Sequence, residues 1–182
     1  MQTFISILRG INVGAQKKIL MTDLKAVYES LKLKDVVTYI QSGNVIFKTG
    51  DGVTDEAIAK KIENAIAKTY GFDVPVIVRR TEELKTILAT NPFAKDKNND
   101  TSRMHVTFLS ATPDTALVTE TSKFKSAPDD FVIIGTEIYL YTPNGYGETK
   151  LSNSFFEKKL KVTATTRNWN TVNKLTELGG EL

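Results

Sequence analysis

The stretch Phe4-Ile5-Ser6-Ile7-Leu8-Arg9-Gly10-Ile11-Asn12-Val13-Gly14 is the one from which the rest of the chain is read. Residues 4–8 are almost continuously apolar and largely β-branched or aromatic, as in a strand buried in the middle of a sheet. Charge returns at Arg9. Gly10 and Gly14 then bracket Ile11 to Val13, so the strand runs into a loop able to present its own amides. Beyond it, Met21, Leu24, Val27, Tyr28 and Leu31 recur at helical spacing and predict a helix from Met21 to Lys32, with Thr22 as its cap. Val36 to Ile40 and Val45 to Phe47 read as two strands of a hairpin turning at Gln41-Ser42-Gly43-Asn44. Thr54 to Tyr70 is a long amphipathic helix stopped by Gly71, and Val74 to Val78 is a fourth strand.

Strand, helix, strand, strand, helix, strand is the order of the ferredoxin-like plait, an antiparallel sheet with two helices on one face. Thr81 then opens a short helix broken at Asn91-Pro92, and polar residues 95–102 mark a boundary. The order begins again. Arg103 to Leu109 is a strand, and Thr112-Pro113-Asp114 opens a helix with proline at its first position. Phe131 to Ile134 and Glu137 to Tyr141 form a hairpin about Gly135-Thr136. Ser152 to Leu160 is a helix with a capping box at Ser154 to Glu157, and Val162 to Thr165 is a last strand. Asn168 caps a final helix carrying Trp169, Val172, Leu175 and Leu178, ended by Gly179-Gly180. The expected fold is therefore α+β, two tandem ferredoxin-like units: residues 1–80, a helical connector at 81–102, and residues 103–182 with the last helix. The repeat is one of element order, without residue identity between the halves.

With 41% hydrophobic and 25% charged residues among 182, the chain has the composition of a soluble globular protein. The formal net charge of +3 is too small to point to nucleic acid or membrane. With no cysteine, disulfides, thiolate metal sites and cysteine nucleophiles are excluded. The opening apolar run has no basic region before it and stops at Arg9, so neither a signal peptide nor a membrane span is expected, and a cytoplasmic location follows.

A ligand site is expected where the first strand ends. In such a plait the first and third strands are expected to be central and parallel to each other, each running into a helix at the same end of the sheet. Arg9, the amides of Gly10 to Gly14, then Lys17, Lys18, Thr22, Lys48, Thr49 and the Gly50 to Gly52 loop gather there. Free helix N–H groups, glycine-flanked amides and cations suit a phosphate or carboxylate. The alternative is that the glycines only shape a loop and the lysines are solvated. RGINVG is neither a Walker loop nor a dinucleotide glycine triplet. The second half offers a similar end at Asn144 to Gly147 with Lys150 and Ser152. Arg167, Asn168 and Asn170 flank the start of the last helix, with Arg167 expected at the opposite end of its sheet from Lys150.

Other readings stand beside this one. His105, Thr107, Tyr139, Tyr141, Thr163 and Thr165 are expected on one sheet face, an arrangement by which RNA-binding modules stack bases, or a face that another element covers. His105, the only histidine, reads as structural. No acid or histidine spacing suits a metal, and no cofactor is indicated. Three functions follow: a protein, enzymatic or not, binding a small anionic or nucleotide-like ligand; an RNA or single-stranded nucleic-acid module; or a structural, dimerising domain. No membrane partner is expected.

LRGINVG at Leu8 to Gly14, TYIQSGNVIF at Thr38 to Phe47 and ATTRNWNTVNKL at Ala164 to Leu175 resemble a family of small bacterial proteins known as domain of unknown function 1697. Residues 147–160 are similar to it too. The resemblance implies a two-part α+β fold of plait type and carries no activity, cofactor or catalytic residue. It directs attention to Arg9, Gly10, Asn12 and Gly14, to Ser42, Gly43 and Asn44, and to Arg167 through Thr171. The opening loop and the Ser42 to Asn44 turn are expected at opposite ends of the first sheet.

Overall fold

The computed structural model of the chain describes residues 1–182. It is a mixed α+β protein with two four-stranded antiparallel sheets and six α-helices. The strands are β1 (Gln2–Leu8), β2 (Lys34–Tyr39), β3 (Asn44–Thr49), β4 (Val76–Arg80), β5 (Met104–Leu109), β6 (Asp130–Ile134), β7 (Glu137–Tyr141) and β8 (Ala164–Asn168). The helices are α1 (Met21–Ser30), α2 (Asp55–Tyr70), α3 (Thr81–Thr90), α4 (Thr115–Ser122), α5 (Asn153–Leu160) and α6 (Trp169–Glu181). By compactness the chain divides into one unit of Met1–Lys85 with Lys174–Leu182 and a second of Thr86–Asn173. No helix is long and apolar enough to cross a membrane.

The first sheet has the order β2-β3-β1-β4. Alternation along β1 sends Phe4 and Leu8 to one face, where they meet Val45, Phe47, Val76 and Val78 and the apolar stripes of α1 and α2. Leu24, Tyr28, Ile58, Ile62 and Ile66 supply those stripes, and burying each such side chain contributes about 1.5–3 kcal/mol. Ser6 points to the same face. Its hydroxyl lies 2.7 Å from the buried Tyr28 hydroxyl, so both polar groups are satisfied inside the core. Ile5, Ile7, Ile46 and Ile77 are buried on the opposite face, where Gly179 lies against Thr81 and Ile5.

Two expectations about this sheet are corrected by its register. β1 pairs with β3 antiparallel, Gln2 opposite Thr49 and Ile7 opposite Asn44. α1 and α2 therefore start at opposite ends of the sheet, and the Gly50 to Gly52 loop lies by the amino terminus, whose NH3⁺ is 3.4 Å from Asp51. Lys48 and Thr49 are absent from the Arg9 end; Lys48 pairs with Asp35 at 3.0 Å. Conversely, Gln41 to Asn44 shares the Arg9 end, the reverse of what was expected.

The second sheet has the order β6-β7-β5-β8. Leu109, Phe131, Ile138 and Leu140 pack with Phe156 and Leu160 of α5. Helix ends differ from expectation where local chemistry decides them. Thr22 lies inside α1, whose N-cap is Leu20 without a side-chain bond. Asp114 caps α4 by accepting from Ala116 N, which leaves Pro113 outside the helix. Ser152, rather than Ser154, caps α5 by accepting from Phe155 N. α6 runs through Gly179 and Gly180 to Glu181, because glycine in helical φ weakens a helix without stopping it.

Candidate functional site

At the first end, the expected ligand groups are largely occupied by the protein itself. Asn12 sits at φ +55, a left-handed conformation that asparagine tolerates. Its Nδ2 donates to Ile19 O at 3.0 Å and to Gln41 O at 2.8 Å, and its Oδ1 accepts from Ile19 N at 2.9 Å. Its own N–H donates to Lys17 O at 3.1 Å. Lys17 Nζ donates to Asp73 O at 2.6 Å. Gly43 N–C=O lies against β1, its carbonyl accepting from Leu8 N at 2.8 Å. Asn44 Nδ2 donates to Tyr39 O and Ser42 Oγ, each at 3.0 Å. Arg9, Gly10 and Gly14 stand in the same loop, and Lys18 is exposed. The structure thus brings Arg9, Gly10, Asn12, Gly14, Lys17 and Lys18 together with Ser42 and Asn44. Asn12 and Asn44 spend their amides on holding three chain segments in place.

The second sheet corrects two further expectations. His105 lies opposite Leu140 and Thr107 opposite Ile138, so these two side chains face the helices. Val106 pairs with Tyr139 and Arg167, and these share the other face. The expected face of His105 with Tyr139 and Tyr141 is therefore off by one residue on β5, and a one-residue slip exchanges the faces. Tyr139 is buried and its hydroxyl lies 2.8 Å from Thr90 Oγ1, while Tyr141 stacks on Phe93 at 6.0 Å. Burial raises the Tyr139 pKa. These rings are engaged with the protein's own residues.

β7 and β8 are each antiparallel to β5, so both end where β5 begins. Arg167 and the Lys150 segment consequently share an end of the sheet, against expectation, but not a face. Thr166 Oγ1 reaches Asn153 Oδ1 at 2.7 Å and lies 2.6 Å from Thr107 Oγ1 on the helix side. Arg167 is buried on the other side, where Nη1 donates to Thr165 Oγ1 and Thr166 O, and burial brings its pKa down to about 10. Asn168 caps α6 by accepting from Asn170 N at 2.8 Å, and Asn170 is exposed.

On the helix side, His105 is 8% exposed and stacks on Tyr146 at 4.8 Å between ring centroids. Its Nδ1 makes no hydrogen bond, and burial lowers its pKa. Tyr146 belongs to the segment between β7 and α5, where Gly145 adopts φ +99 and packs under Arg103. That segment leads to a cavity of about 400 Å³ lined by Phe124, Leu151 and Phe155 and by Asp129, Asn144, Glu148, Thr149 and Lys150. Thr149 Oγ1 donates to Asp129 Oδ2 at 2.6 Å and accepts from Leu151 N, which fixes one wall. Phe124 and Phe155 meet edge to face at 5.9 Å, with Lys159 Nζ 3.7 Å above the Phe124 ring. Asn144 and Lys150 were legible as candidates. Phe124, Asp129 and Phe155 were not, because the turn at residues 123–129 that carries two of them has no periodicity tying it to α5. No group of three or more histidine and acidic side chains comes together as metal ligands do.

The family described as Protein of unknown function (DUF1697) matches residues 1–139. The match takes in the LRGINVG and TYIQSGNVIF motifs. Among solved structures, conserved bacterial protein SP0830 from Streptococcus pneumoniae is similar at 23% identity, over 98% of each chain, with a TM-score of 0.77. At that identity the likeness is one of fold. The comparison with curated proteins found no match.

Proposed function

The chain belongs to the DUF1697 family of proteins of unknown function, a membership that brings no activity with it, and we propose from geometry that it binds a small molecule in the cavity of its second unit. One observation carries the reading. An apolar wall of Phe124, Leu151 and Phe155 faces polar groups of both charges in a concavity of about 400 Å³, within the size and composition usual for small-ligand sites. The Arg9 to Gly14 loop is the second place for an anionic ligand, and Lys18 is the exposed cation that favours it. It ranks lower because the Asn12 amide and the Lys17 ammonium already bond to the chain.

We further read the two units as tandem ferredoxin-like plaits that arose by duplication. The same β-α-β-β-α-β succession and the equivalent strand orders β2-β3-β1-β4 and β6-β7-β5-β8 support this. On that reading the cavity, beside the start of α5, corresponds to the Gly50 to Gly52 loop before α2.

The test is a screen of small aromatic and aliphatic compounds by NMR on the labelled protein. Binders should perturb Phe124, Leu151 and Phe155, and Phe124→Ser should weaken them severalfold while the fold is retained. Perturbations confined to residues 9–18, or none with any compound, would overturn the assignment.

A further inference from the structure

We infer that the ligand of this cavity is a zwitterion with an apolar body, of the class of an apolar amino acid or dipeptide; this rests on the proposed cavity site. Three charged residues line the cavity, the carboxylates of Asp129 and Glu148 and the ammonium of Lys150. None of them takes part in an ion pair. Neighbouring exposed charges of the same unit do: Lys125 pairs with Asp130 at 2.9 Å, Lys123 with Glu120 at 2.5 Å and Arg103 with Asp100 at 4.0 Å. Charges of both signs therefore line one concavity without satisfying each other.

That arrangement discriminates by charge. A purely anionic ligand would meet Lys150 but also the repulsion of two carboxylates. A purely cationic ligand would be drawn to Asp129 and Glu148 and held off by Lys150. A molecule carrying an ammonium and a carboxylate can place each against its opposite. Asp129 keeps Oδ1 for this purpose while Oδ2 accepts from Thr149, which also fixes the carboxylate's orientation. The body between the charges would lie on Phe124, Phe155 and Leu151. Phe124, 48% exposed, is one of the few large apolar side chains the protein leaves in solvent.

Isothermal calorimetry on the full chain tests the inference with ligands sharing one apolar body: L-phenylalanine, L-phenylalanyl-L-phenylalanine, phenethylamine and 3-phenylpropanoate. The expected result is that one of the zwitterions binds at least tenfold more tightly than both single-charge analogues. Glu148→Gln should weaken the zwitterion and phenethylamine but not 3-phenylpropanoate. Lys150→Met should do the reverse for the two analogues while also weakening the zwitterion. Both residues are exposed, so neither substitution removes a buried contact, and thermal unfolding of both variants should match that of the parent protein. Analogues that bind as tightly as the zwitterions, with NMR shifts still at Phe124 and Phe155, would overturn the ligand class and leave the site standing. No binding by any of the four overturns the ligand class. If the compound screen also leaves Phe124 and Phe155 unperturbed, the site falls with it.

Discussion

Asn12 grips Ile19 by both edges of its side-chain amide, donating from Nδ2 to Ile19 O at 3.0 Å and accepting from Ile19 N at 2.9 Å. A side chain thus does for Ile19 what a neighbouring strand would, at a point where the chain has left the sheet and its backbone groups would otherwise lack partners. A further bond to Gln41 O ties the β2–β3 turn into the same knot. Asn12→Ala removes all three bonds and leaves a Cβ-bearing residue at φ +55 without asparagine's local compensation. The expected loss is about 2–4 kcal/mol, from roughly 1 kcal/mol per bond plus the conformational cost. Urea denaturation of the variant measures it. Asn12→Asp keeps Oδ1 but not the donor, and should fall between the two.

Gly43 shows why that turn has its sequence. Its φ is +84, and a Cβ there would stand 2.7 Å from Ile11 Cδ1 and 2.8 Å from Leu8 Cβ. Leu8 Cβ is fixed to the β1 backbone and cannot yield. Gly43→Ala should therefore cost more than the roughly 1 kcal/mol usual for alanine at positive φ, and thermal unfolding should show a drop larger than for Gly52→Ala, where φ is +83 and the space is open. Equal drops would mean that Ile11 and the turn move aside together.

Element types were legible because period and punctuation carry them. Ile58, Ile62 and Ile66 on one stripe made α2 readable, and Gly71 closes it at φ +76. Strand direction was not legible, since periodicity along Phe4 to Leu8 says nothing about which strand lies alongside or which way it runs. That gap displaced Lys48 to the wrong end and hid the meeting of Asn12 with Gln41. The faces of β5 failed for a related reason. Met104, Val106 and Phe108 alternate with His105 and Thr107, and hydrophobicity alone would turn the apolar three toward the helices. The opposite face of this sheet is buried as well, with Val106 and Phe108 fully covered, so hydrophobicity could not tell the two sides apart. The cavity depends on residues 124–129 meeting residues 144–155, a tertiary contact without a local signature.

His105 predicts a pH dependence whose sign is fixed. Burial beneath Tyr146 lowers its folded pKa below the ordinary value of 6.5. Above that value both states are neutral and His105 contributes nothing. As pH falls below about 6.5 the unfolded chain binds the proton and the folded one resists it, so stability declines until the folded pKa is reached. Urea midpoints of the protein at pH 7.5 and pH 5.5 should differ, with the lower pH less stable. His105→Gln should flatten that interval, whatever its effect at pH 7.5. An unchanged slope would assign the dependence to other groups.

The adjacent glycines of α6 should respond to one substitution with opposite signs. Both lie within the helix, so alanine at either gains helix propensity and restricts the unfolded chain, together worth up to about 1 kcal/mol in a helix interior and less near its end. At Gly180 a Cβ meets nothing within 4 Å, and Gly180→Ala should stabilise slightly. At Gly179 a Cβ would stand 2.7 Å from Thr81 Oγ1, 3.1 Å from Thr81 Cγ2 and 3.3 Å from Ile5 Cδ1. Thr81 cannot swing away freely, because its hydroxyl reaches Thr3 O and Gly179 O, each at 3.4 Å, and it begins α3 directly after β4. Overpacking of this kind costs about 1–3 kcal/mol, which exceeds the propensity gain, so Gly179→Ala should destabilise. Melting temperatures of the two variants, measured side by side, should move in opposite directions; a rise for both would mean that the C-terminal turn of α6 lifts off β1 without cost.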